Sequence, residues 1–313
     1  MSLAFIFPGQ GSQAVGMGVE VARQYASARA VWAEVDEALD QNLFQLVCDG
    51  PESELTLTEN AQPALMAASL AIIRVLDDDF SIGTEGAAFV AGHSLGEYSA
   101  LAAAEALTIA DTARLLKLRG QAMQRAVPVG QGAMASLIGP RTDLALAEAA
   151  AAAGAEAGVC VVANDNNPGN IVISGDRAGV DRAIEKAKEL GARAIPLNVS
   201  APFHCPLMRP AAEEMARALA EANIAEPMAQ VVPNVTAVST RDPAVLRQLL
   251  VEQVTGRVRW RESVAFMAAA GVTRFVEVGA GKVLTGMVKR IAPDSEALAL
   301  NTPADIDAFA RSI

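Results

Sequence analysis

Short apolar runs alternate along the chain with longer stretches in which apolar residues recur at helical spacing. Glycine, proline or polar residues bound each short run, which is typical of a buried strand. The long stretches are rich in Ala and Leu and predict helices. A regular alternation of strands and helices favours a parallel sheet covered by helices. The strands predicted for this sheet lie at 3–7, 87–91, 231–235 and 274–278.

The pattern differs in the middle of the chain, where strands and helices follow one another in the order βαββαβ. This order is that of a ferredoxin-like unit. Its elements are predicted as strands at 132–138, 158–163, 170–174 and 193–198 and helices at 141–156 and 176–190, with a turn at 164–169. The sequence therefore predicts an α/β fold in which a small domain, residues 129–198, is inserted into a larger domain with a parallel sheet, residues 1–128 and 199–313.

Composition narrows the classes of function without choosing one. The chain has 313 residues, 52% of them hydrophobic, and a formal net charge of −11, which disfavours nucleic acid as a partner. No apolar run approaches the ~20 residues that span a bilayer, and the N-terminal segment resembles a strand rather than a signal peptide, so we expect a cytoplasmic protein without a membrane partner. The three cysteines are far apart and only two histidines are present, which predicts neither a disulfide framework nor a metal centre.

The pentapeptide Gly92-His93-Ser94-Leu95-Gly96 lies between a predicted strand and a predicted helix. A sharp strand-to-helix turn holds its central residue in strained geometry, and the glycines on either side let the backbone pass without a Cβ clash. The central hydroxyl then lies near a helix N-terminus, where backbone N–H groups stabilise a developing oxyanion. The pattern predicts that Ser94 is a nucleophile.

A serine nucleophile needs a base, and the chain has only His93 and His204 to supply one. Consecutive residues at a sharp turn point in different directions, so His93 is predicted to have a structural role. His204 lies in a loop bracketed by Pro202 and Pro206, and loops of this kind carry function more often than packing. We therefore predict that His204 is the base, the alternative being a hydrogen-bonded surface histidine.

Arg119 is predicted to lie in the middle of the apolar face of a helix at 109–126. A buried guanidinium without a partner is very unfavourable. Its partner is either an internal carboxylate or an anionic ligand, whose carboxylate or phosphate the planar fork would bind with two N–H groups. Residue spacing does not choose between these two.

The segment Pro8-Gly9-Gln10-Gly11 follows the first predicted strand directly. It is neither a dinucleotide-binding fingerprint nor a P-loop. A turn at the carboxyl end of a strand can offer a backbone or amide donor to a site at the mouth of the sheet, although ordinary turn chemistry explains the same residues.

Together these segments resemble the malonyl-CoA:acyl carrier protein transacylases of type II fatty acid synthesis and the related acyltransferase domains of polyketide synthases. The resemblance covers essentially the whole chain, in order, through Phe7-Pro8-Gly9-Gln10-Gly11-Ser12-Gln13, Gly92-His93-Ser94-Leu95-Gly96-Glu97, Leu118-Arg119-Gly120, Gly132-Ala133-Met134-Ala135, Pro168-Gly169, Phe203-His204-Cys205, Gln253 and Glu277-Val278-Gly279. It implies an α/β-hydrolase-like large domain with a ferredoxin-like insertion, in agreement with the strand order.

The resemblance also implies a role for each matching residue. Ser94 would carry the acyl group with His204 as its base, and Arg119 would bind the free carboxylate of the malonyl group. The Gln10 side chain and the Leu95 backbone N–H would form the oxyanion hole, and a main-chain carbonyl at Gln253 would orient the histidine. The implied reaction moves a malonyl group from malonyl-CoA to the phosphopantetheine thiol of holo-acyl carrier protein, without a metal or another cofactor.

Other functions use part of the same pattern. A serine thioesterase or esterase has the same elbow, but its histidine usually comes late in the chain, whereas a long segment follows His204. A non-catalytic carrier-binding subunit and a malonyl transferase of polyketide synthesis or of malonate decarboxylase are further alternatives. Phe203 before His204 resembles the malonyl-type pattern of polyketide acyltransferases.

Charge raises a separate question, because CoA and carrier proteins are acidic and so is this chain. We expect a local basic patch that attracts them, with ordinary solvated helix faces as the alternative. Its predicted members are Lys186, Lys188, Arg193, Lys282, Lys289 and Arg290.

Overall fold

Two β-sheets organise the chain. The computed structural model describes residues 2–313, and over this range the strands are β1 (Leu3–Phe7), β2 (Phe89–Gly92), β3 (Gly132–Ile138), β4 (Cys160–Asn167), β5 (Asn170–Asp176), β6 (Arg193–Pro196), β7 (Gln230–Val231), β8 (Arg274–Val278) and β9 (Glu296–Leu300). The helices are α1 (Val19–Gln24), α2 (Ala26–Leu39), α3 (Leu43–Asp49), α4 (Glu52–Leu55), α5 (Thr58–Phe80), α6 (Gly96–Ala103), α7 (Ile109–Ala126), α8 (Leu144–Ala155), α9 (Arg177–Glu189), α10 (Arg209–Glu221), α11 (Pro243–Gln253), α12 (Trp260–Ala269), α13 (Val283–Ile291) and α14 (Pro303–Ala310). Within residues 2–313, none of these helices combines the length and the apolar character needed to cross a bilayer.

β1 lies at the centre of a parallel sheet with the strand order β7-β2-β1-β8-β9. Its side chains alternate between two hydrophobic cores. Ala4 and Ile6 pack into the cluster that contains Trp260, whereas Phe5 and Phe7 pack into a larger cluster with residues of α2 and α5. All four side chains are fully buried, since both faces of the sheet are covered. This double burial explains why the strand is apolar without a polar alternation.

The predicted strands of this sheet agree with the structure at 3–7 and 274–278, and the one at 87–91 is displaced to β2. The strand predicted at 231–235 is much shorter, because β7 ends at Val231. Pro233 has no N–H with which to extend a ladder. Asn234 then approaches the turn after β2, where its Nδ2 donates to the Gly92 carbonyl oxygen at 2.6 Å. The chain therefore leaves the sheet at the point where it contacts the pentapeptide.

β3, β4, β5 and β6 form a separate antiparallel sheet in the order β4-β5-β3-β6. α8 and α9 pack against this sheet and against each other through small side chains such as Ala150 and Ala183. A Cβ at Gly154 would overlap the Gly179 carbonyl oxygen, so the two helices approach closely only because a glycine is present. The two sheets confirm the predicted α/β fold class with a βαββαβ unit. The domain boundaries at 129 and 198 stay a prediction, and β3 to β6 lie between them.

β4 is longer than the sequence predicts, and its last residues contact the larger unit near the start of α12. The polar segment 164–167 was expected in a turn, but it is a buried strand, and the chain turns only at Pro168–Gly169. Asn164 pairs in parallel with Val258, and the Asp165 carboxylate accepts hydrogen bonds from Arg261 Nε at 3.0 Å and Nη2 at 2.7 Å. The turn prediction was wrong here because Asn and Asp are typical of turns. In this chain their polar groups instead bind the larger unit.

Candidate active site

The pentapeptide forms a sharp turn between β2 and α6. Ser94 at its centre has a φ of 54°, which is rare for a residue with a side chain. A Cβ at Gly92 would overlap the Gly96 backbone, and one at Gly96 would overlap the Phe7 carbonyl oxygen, so both glycines are required. Asn234 holds the turn, since its Oδ1 accepts a hydrogen bond from the Ser94 N–H at 2.7 Å. Strained backbone of this kind persists only where the surroundings fix it.

His204 lies within hydrogen-bonding distance of the serine, with 2.8 Å between Ser94 Oγ and His204 Nε2. Its other ring nitrogen, Nδ1, is 2.9 Å from the Gln253 carbonyl oxygen and 3.2 Å from that of Gly256. Carbonyl oxygens only accept, so Nδ1 carries the hydrogen and Nε2 turns a lone pair toward the serine. Burial, and after it the positive charge of Arg119, lowers the pKa of His204 to about 3. The imidazole is therefore a neutral base at physiological pH.

Arg119 meets the same serine from α7, and its side chain is 1% exposed. Its Nη2 donates to Ser94 Oγ at 3.1 Å and to Gln253 Oε1 at 2.9 Å, and its Nη1 donates to Gln62 Oε1 at 2.7 Å. Among residues 2–313 it forms no salt bridge, and burial lowers its pKa. The sequence leaves two partners open for Arg119, an internal carboxylate and an anionic ligand. The hydrogen bonds of Arg119 favour the anionic ligand. Amide oxygens hold the guanidinium in place, and its charge stays available to an anion beside the nucleophile.

Gln253 and Glu97 form a buried layer beneath the serine. The Gln253 Nε2 donates to the Ser94 carbonyl oxygen at 3.0 Å and to Glu97 Oε2 at 2.8 Å, which turns Gln253 Oε1 toward Arg119. Glu97 Oε2 also accepts from the Asn234 N–H at 2.9 Å, whereas within residues 2–313 its Oε1 has no partner. Burial raises the pKa of Glu97 to about 7. One carboxylate therefore fixes the residues that orient both the serine and the arginine.

Two further donors lie at the edge of the same turn. Leu95 precedes the first residue of α6, and its N–H donates to no group within residues 2–313. Gln10 follows β1 in the turn predicted to face the sheet mouth, and its Oε1 accepts from Thr58 Oγ1 at 2.8 Å. With its oxygen held by Thr58, the Gln10 amide has two N–H hydrogens free for a ligand.

His93 lines the cavity, but its ring contacts lie outside this cluster of groups, in agreement with the structural role that the sequence predicts. Its Nε2 lies 2.9 Å from Asn166 Oδ1 at the end of β4, and its ring centroid is 5.8 Å from that of Trp260. Burial lowers the pKa of His93, so it is a neutral ring. Its contacts join the serine turn to the antiparallel sheet.

A cavity of about 360 Å³ opens onto Ser94, and residues of the larger unit and of the antiparallel sheet line it. The larger unit supplies the polar wall, namely Gln10, Ser94, Leu95, Arg119 and His204. The antiparallel sheet and the segment after it supply a second wall that includes Met134, Asn166, Val172, Leu197 and Val199. Gln253 lies behind the cavity, fully buried. The structure thus brings all six site residues predicted from the sequence around one space.

Sequence reasoning missed four residues of this site: Gln62, Glu97, Asn166 and Asn234. Each is a polar residue that is at least nine-tenths buried. A weak signal existed for Gln62 and Glu97, because both fall within helices whose other residues are largely apolar. Across residues 2–313, no group of three or more His, Cys, Asp or Glu side chains is arranged to hold a metal ion.

Comparison with known proteins agrees with this geometry. A family model described as the acyl transferase domain matches residues 4–300. The malonyl CoA-acyl carrier protein transacylase of Salmonella typhimurium is 46% identical over 306 residues, with 97% of each sequence covered. The crystal structure of an acyl-carrier-protein-S-malonyltransferase from Bartonella henselae is 50% identical, with a TM-score of 0.97 over 100% of this chain and 99% of the other.

A third relative was solved with a partner. It is described as a type II PKS acyl-carrier protein in complex with its malonyl-transacylase, and it is 40% identical to this chain with a TM-score of 0.96 over 100% of both chains. The family model and the relatives all span nearly the full length, and they confirm the resemblance drawn from the motifs. This chain, with its serine elbow and paired histidine, belongs to the acyl transferase family.

Proposed function

We propose that this chain transfers the malonyl group of malonyl-CoA to the phosphopantetheine thiol of an acyl carrier protein, through a malonyl ester on Ser94. One observation carries the proposal. The Ser94 hydroxyl lies 2.8 Å from the His204 base and 3.1 Å from a buried guanidinium that forms no salt bridge within residues 2–313, so nucleophile, base and anion-binding group meet at one atom. The relatives named as malonyl transacylases support the same reaction.

The first half-reaction acylates the serine. His204 Nε2 takes the Ser94 hydroxyl proton while Oγ attacks the thioester carbonyl carbon, and the carbonyl electron pair moves to oxygen. The Leu95 N–H and the Gln10 amide are the free donors beside that oxygen, and we assign the oxyanion hole to them. The carbon–sulfur bond then breaks, and the CoA sulfur takes the proton from His204.

Arg119 selects the acyl group. A malonyl group carries a carboxylate that the guanidinium can bind, whereas an acetyl group would leave the buried charge without a counter-ion. The amide oxygens of Gln62 and Gln253 hold the fork, so little reorganisation is needed when the carboxylate arrives. The same pairing fixes the thioester carbonyl relative to Ser94.

The second half-reaction runs the same steps with a different thiol. The pantetheine thiol of the carrier protein gives its proton to His204 and attacks the malonyl-serine carbonyl, and Ser94 recovers its hydrogen as it leaves. A thioester is exchanged for a thioester, so the chemistry needs no redox group. We infer from this, and from the resemblance, that the enzyme uses no cofactor and acts in the cytoplasm. We also propose that the small domain, residues 129–198, is inserted into the catalytic domain, residues 1–128 and 199–313, and that both line the active site.

Intact-protein mass spectrometry after brief mixing with malonyl-CoA tests the proposal. We expect one malonyl group on the wild type, none on Ser94→Ala, and discharge of the group by added holo-carrier protein. Acetyl-CoA should label the protein weakly. Arg119→Met should lower kcat/KM for malonyl-CoA by about a hundredfold or more, because the substrate carboxylate is left unpaired in a buried site.

Arg125→Met on the same helix is the matched control. Arg125 is exposed and pairs with Glu214, so its loss should leave the labelling unchanged. If the protein releases free malonate and no adduct forms, it is a thioesterase rather than a transacylase. If it shows neither an adduct nor turnover, it is a carrier-binding subunit without activity. Since one relative was solved with a polyketide-type carrier, discharge should be compared between fatty acid and polyketide carriers.

A further inference from the structure

A series of hydrogen bonds connects Arg119 to Gln10 through Gln62, which holds the guanidinium, and Thr58, which the reaction above does not use. Arg119 Nη1 donates to Gln62 Oε1 at 2.7 Å, and Gln62 Nε2 donates to Thr58 Oγ1 at 2.9 Å. The Thr58 hydroxyl in turn donates to Gln10 Oε1 at 2.8 Å. This series of hydrogen bonds therefore runs from the group that binds the substrate carboxylate to a group assigned to the oxyanion hole.

The direction of each bond is fixed by the first one. A guanidinium has only donors, so the Gln62 oxygen faces Arg119 and the Gln62 NH₂ faces Thr58. That NH₂ can only donate, so the Thr58 oxygen accepts. The buried hydroxyl hydrogen is left with Gln10 Oε1 as its acceptor, since an unsatisfied buried donor is costly. The Gln10 amide is then held with its oxygen toward Thr58 and its NH₂ toward the cavity.

Close packing keeps these groups in place. Thr58 and Gln62 are four residues apart on one face of α5, and each is 1% exposed. A Cβ at Gly120 would overlap the backbone of Glu59, so α7 approaches the start of α5 closely only because Gly120 follows Arg119. The Leu118-Arg119-Gly120 motif thus positions Arg119 against Gln62.

We propose that Thr58 and Gln62 are positioning residues that hold the Gln10 amide in its oxyanion-binding orientation and couple it to the carboxylate-binding Arg119. This inference rests on the proposed function, in which Gln10 stabilises the oxyanion. It implies that the enzyme orients its oxyanion donor through the same guanidinium that recognises malonyl.

The test compares Thr58→Val, which keeps the shape and removes the hydroxyl, with Thr58→Ser, which keeps the hydroxyl. Single-turnover acylation by malonyl-CoA is followed by rapid quenching and mass spectrometry. Thr58→Val should slow acylation by about tenfold to a hundredfold, within the loss expected for one oxyanion donor, while KM changes by less than about twofold. Thr58→Ser should recover most of the rate. Thr112→Val is the control, because Thr112 is also fully buried and, within residues 2–313, its hydroxyl bonds only to the Thr108 carbonyl oxygen.

A double-variant cycle with Gln10→Ala separates positioning from general damage. If Thr58 acts through Gln10, Thr58→Val should have no further effect once the Gln10 side chain is removed. If the rate losses of the two single variants multiply in the double variant, or if Thr58→Val acylates at the wild-type rate, the positioning role of Thr58 is overturned and the proposed function is left intact. A wild type that forms no malonyl-serine would overturn both.

Discussion

Arg119 is buried between amide oxygens rather than carboxylates, and this choice of partners sets its chemistry. A carboxylate partner would neutralise the guanidinium, whereas the Gln62 and Gln253 amide oxygens accept from its Nη1 and Nη2 and leave its charge. Burying this cation removes its hydration, which is unfavourable and lowers the pKa of Arg119. A site that keeps this charge without substrate is preorganised for an anion.

Glu97 is the titratable group of this layer, and it makes stability depend on pH. Burial raises its pKa to about 7 from the ordinary 4.5, with the Asn234 N–H, the Gln253 amide and the Arg119 charge acting in the opposite direction. Between these values the folded protein holds a proton that the unfolded chain releases. The stabilisation from this group is therefore present below pH 4.5 and lost as pH rises toward 7.

Glu97→Gln removes that dependence, because the amide has no proton to lose and its oxygen still accepts from Asn234 and Gln253. The free energy of unfolding of the variant minus that of the wild type should rise between pH 5 and pH 8 by at most about 3 kcal/mol. Urea denaturation at the two pH values measures this. Both histidines titrate alike in the two proteins, so their contributions cancel. A difference that is constant with pH would show that Glu97 does not titrate in this range.

The sequence predicts the residues whose signal is local and misses those whose partners are distant. Ser94 is marked by its own flanking glycines, and His204 follows because few histidines are available. The orienting carbonyl of Gln253 came only from the family resemblance, since any residue has a carbonyl. Asn234 and Glu97 meet through contacts between β7, α6 and α11, and no spacing along the chain encodes that meeting.

At the scale of elements, the end of β4 is where sequence and structure differ most. Residues 164–167 have the composition of a turn, yet they form the end of a strand. Asn164 pairs with Val258, and the Asp165 carboxylate accepts a hydrogen bond from Arg261. Propensity describes a segment alone, whereas here hydrogen bonds to the larger unit override it. The other elements of the βαββαβ unit were predicted because their hydrophobic periodicity is internal to each of them.

The Asp165–Arg261 pair should stabilise the junction of the two units. The Asp165 side chain is 1% exposed and accepts both Nε and Nη2 of Arg261, so Asp165→Asn should lower the free energy of unfolding by about 1–3 kcal/mol. Glu148 and Arg257 form a second pair across the same junction, but the two side chains are 52% and 29% exposed. Glu148→Gln should therefore change the free energy by less than about 0.5 kcal/mol. Equal shifts of the urea midpoint in the two variants would contradict this assignment.

At the scale of the whole molecule, a chain of net charge −11 must still attract acidic partners. Of the predicted basic patch, Lys186 pairs with Glu189 at 3.0 Å. Lys282, Lys289 and Arg290 are exposed and, within residues 2–313, form no salt bridge. Lys282 and Arg290 line a groove that shares Val283 and Met287 with the active-site cavity. We propose that this groove is where the exposed positive charges of the patch receive an acidic carrier protein.

Charge reversal tests this docking surface. Lys282→Glu and Arg290→Glu should each raise KM for the carrier protein by about tenfold at low salt, and the effect should shrink as salt rises. Arg114→Glu is the control, because Arg114 is an exposed residue of α7 that lines neither the groove nor the cavity. An unchanged KM for the carrier in both groove variants would remove the patch from the docking surface.

The two-sided cavity separates what the enzyme does from what it accepts. Ser94, His204, Gln10 and Leu95 line the cavity from the larger unit, while Met134, Val172 and Leu197 line it from the antiparallel sheet and the segment after it, and within residues 2–313 these three form no side-chain hydrogen bond to Ser94 or His204. Substitutions on the second wall can therefore reshape the space for a longer or branched acyl chain and leave bond making as it is. We therefore expect the range of accepted acyl groups to be set by the second wall and the reaction itself by the first.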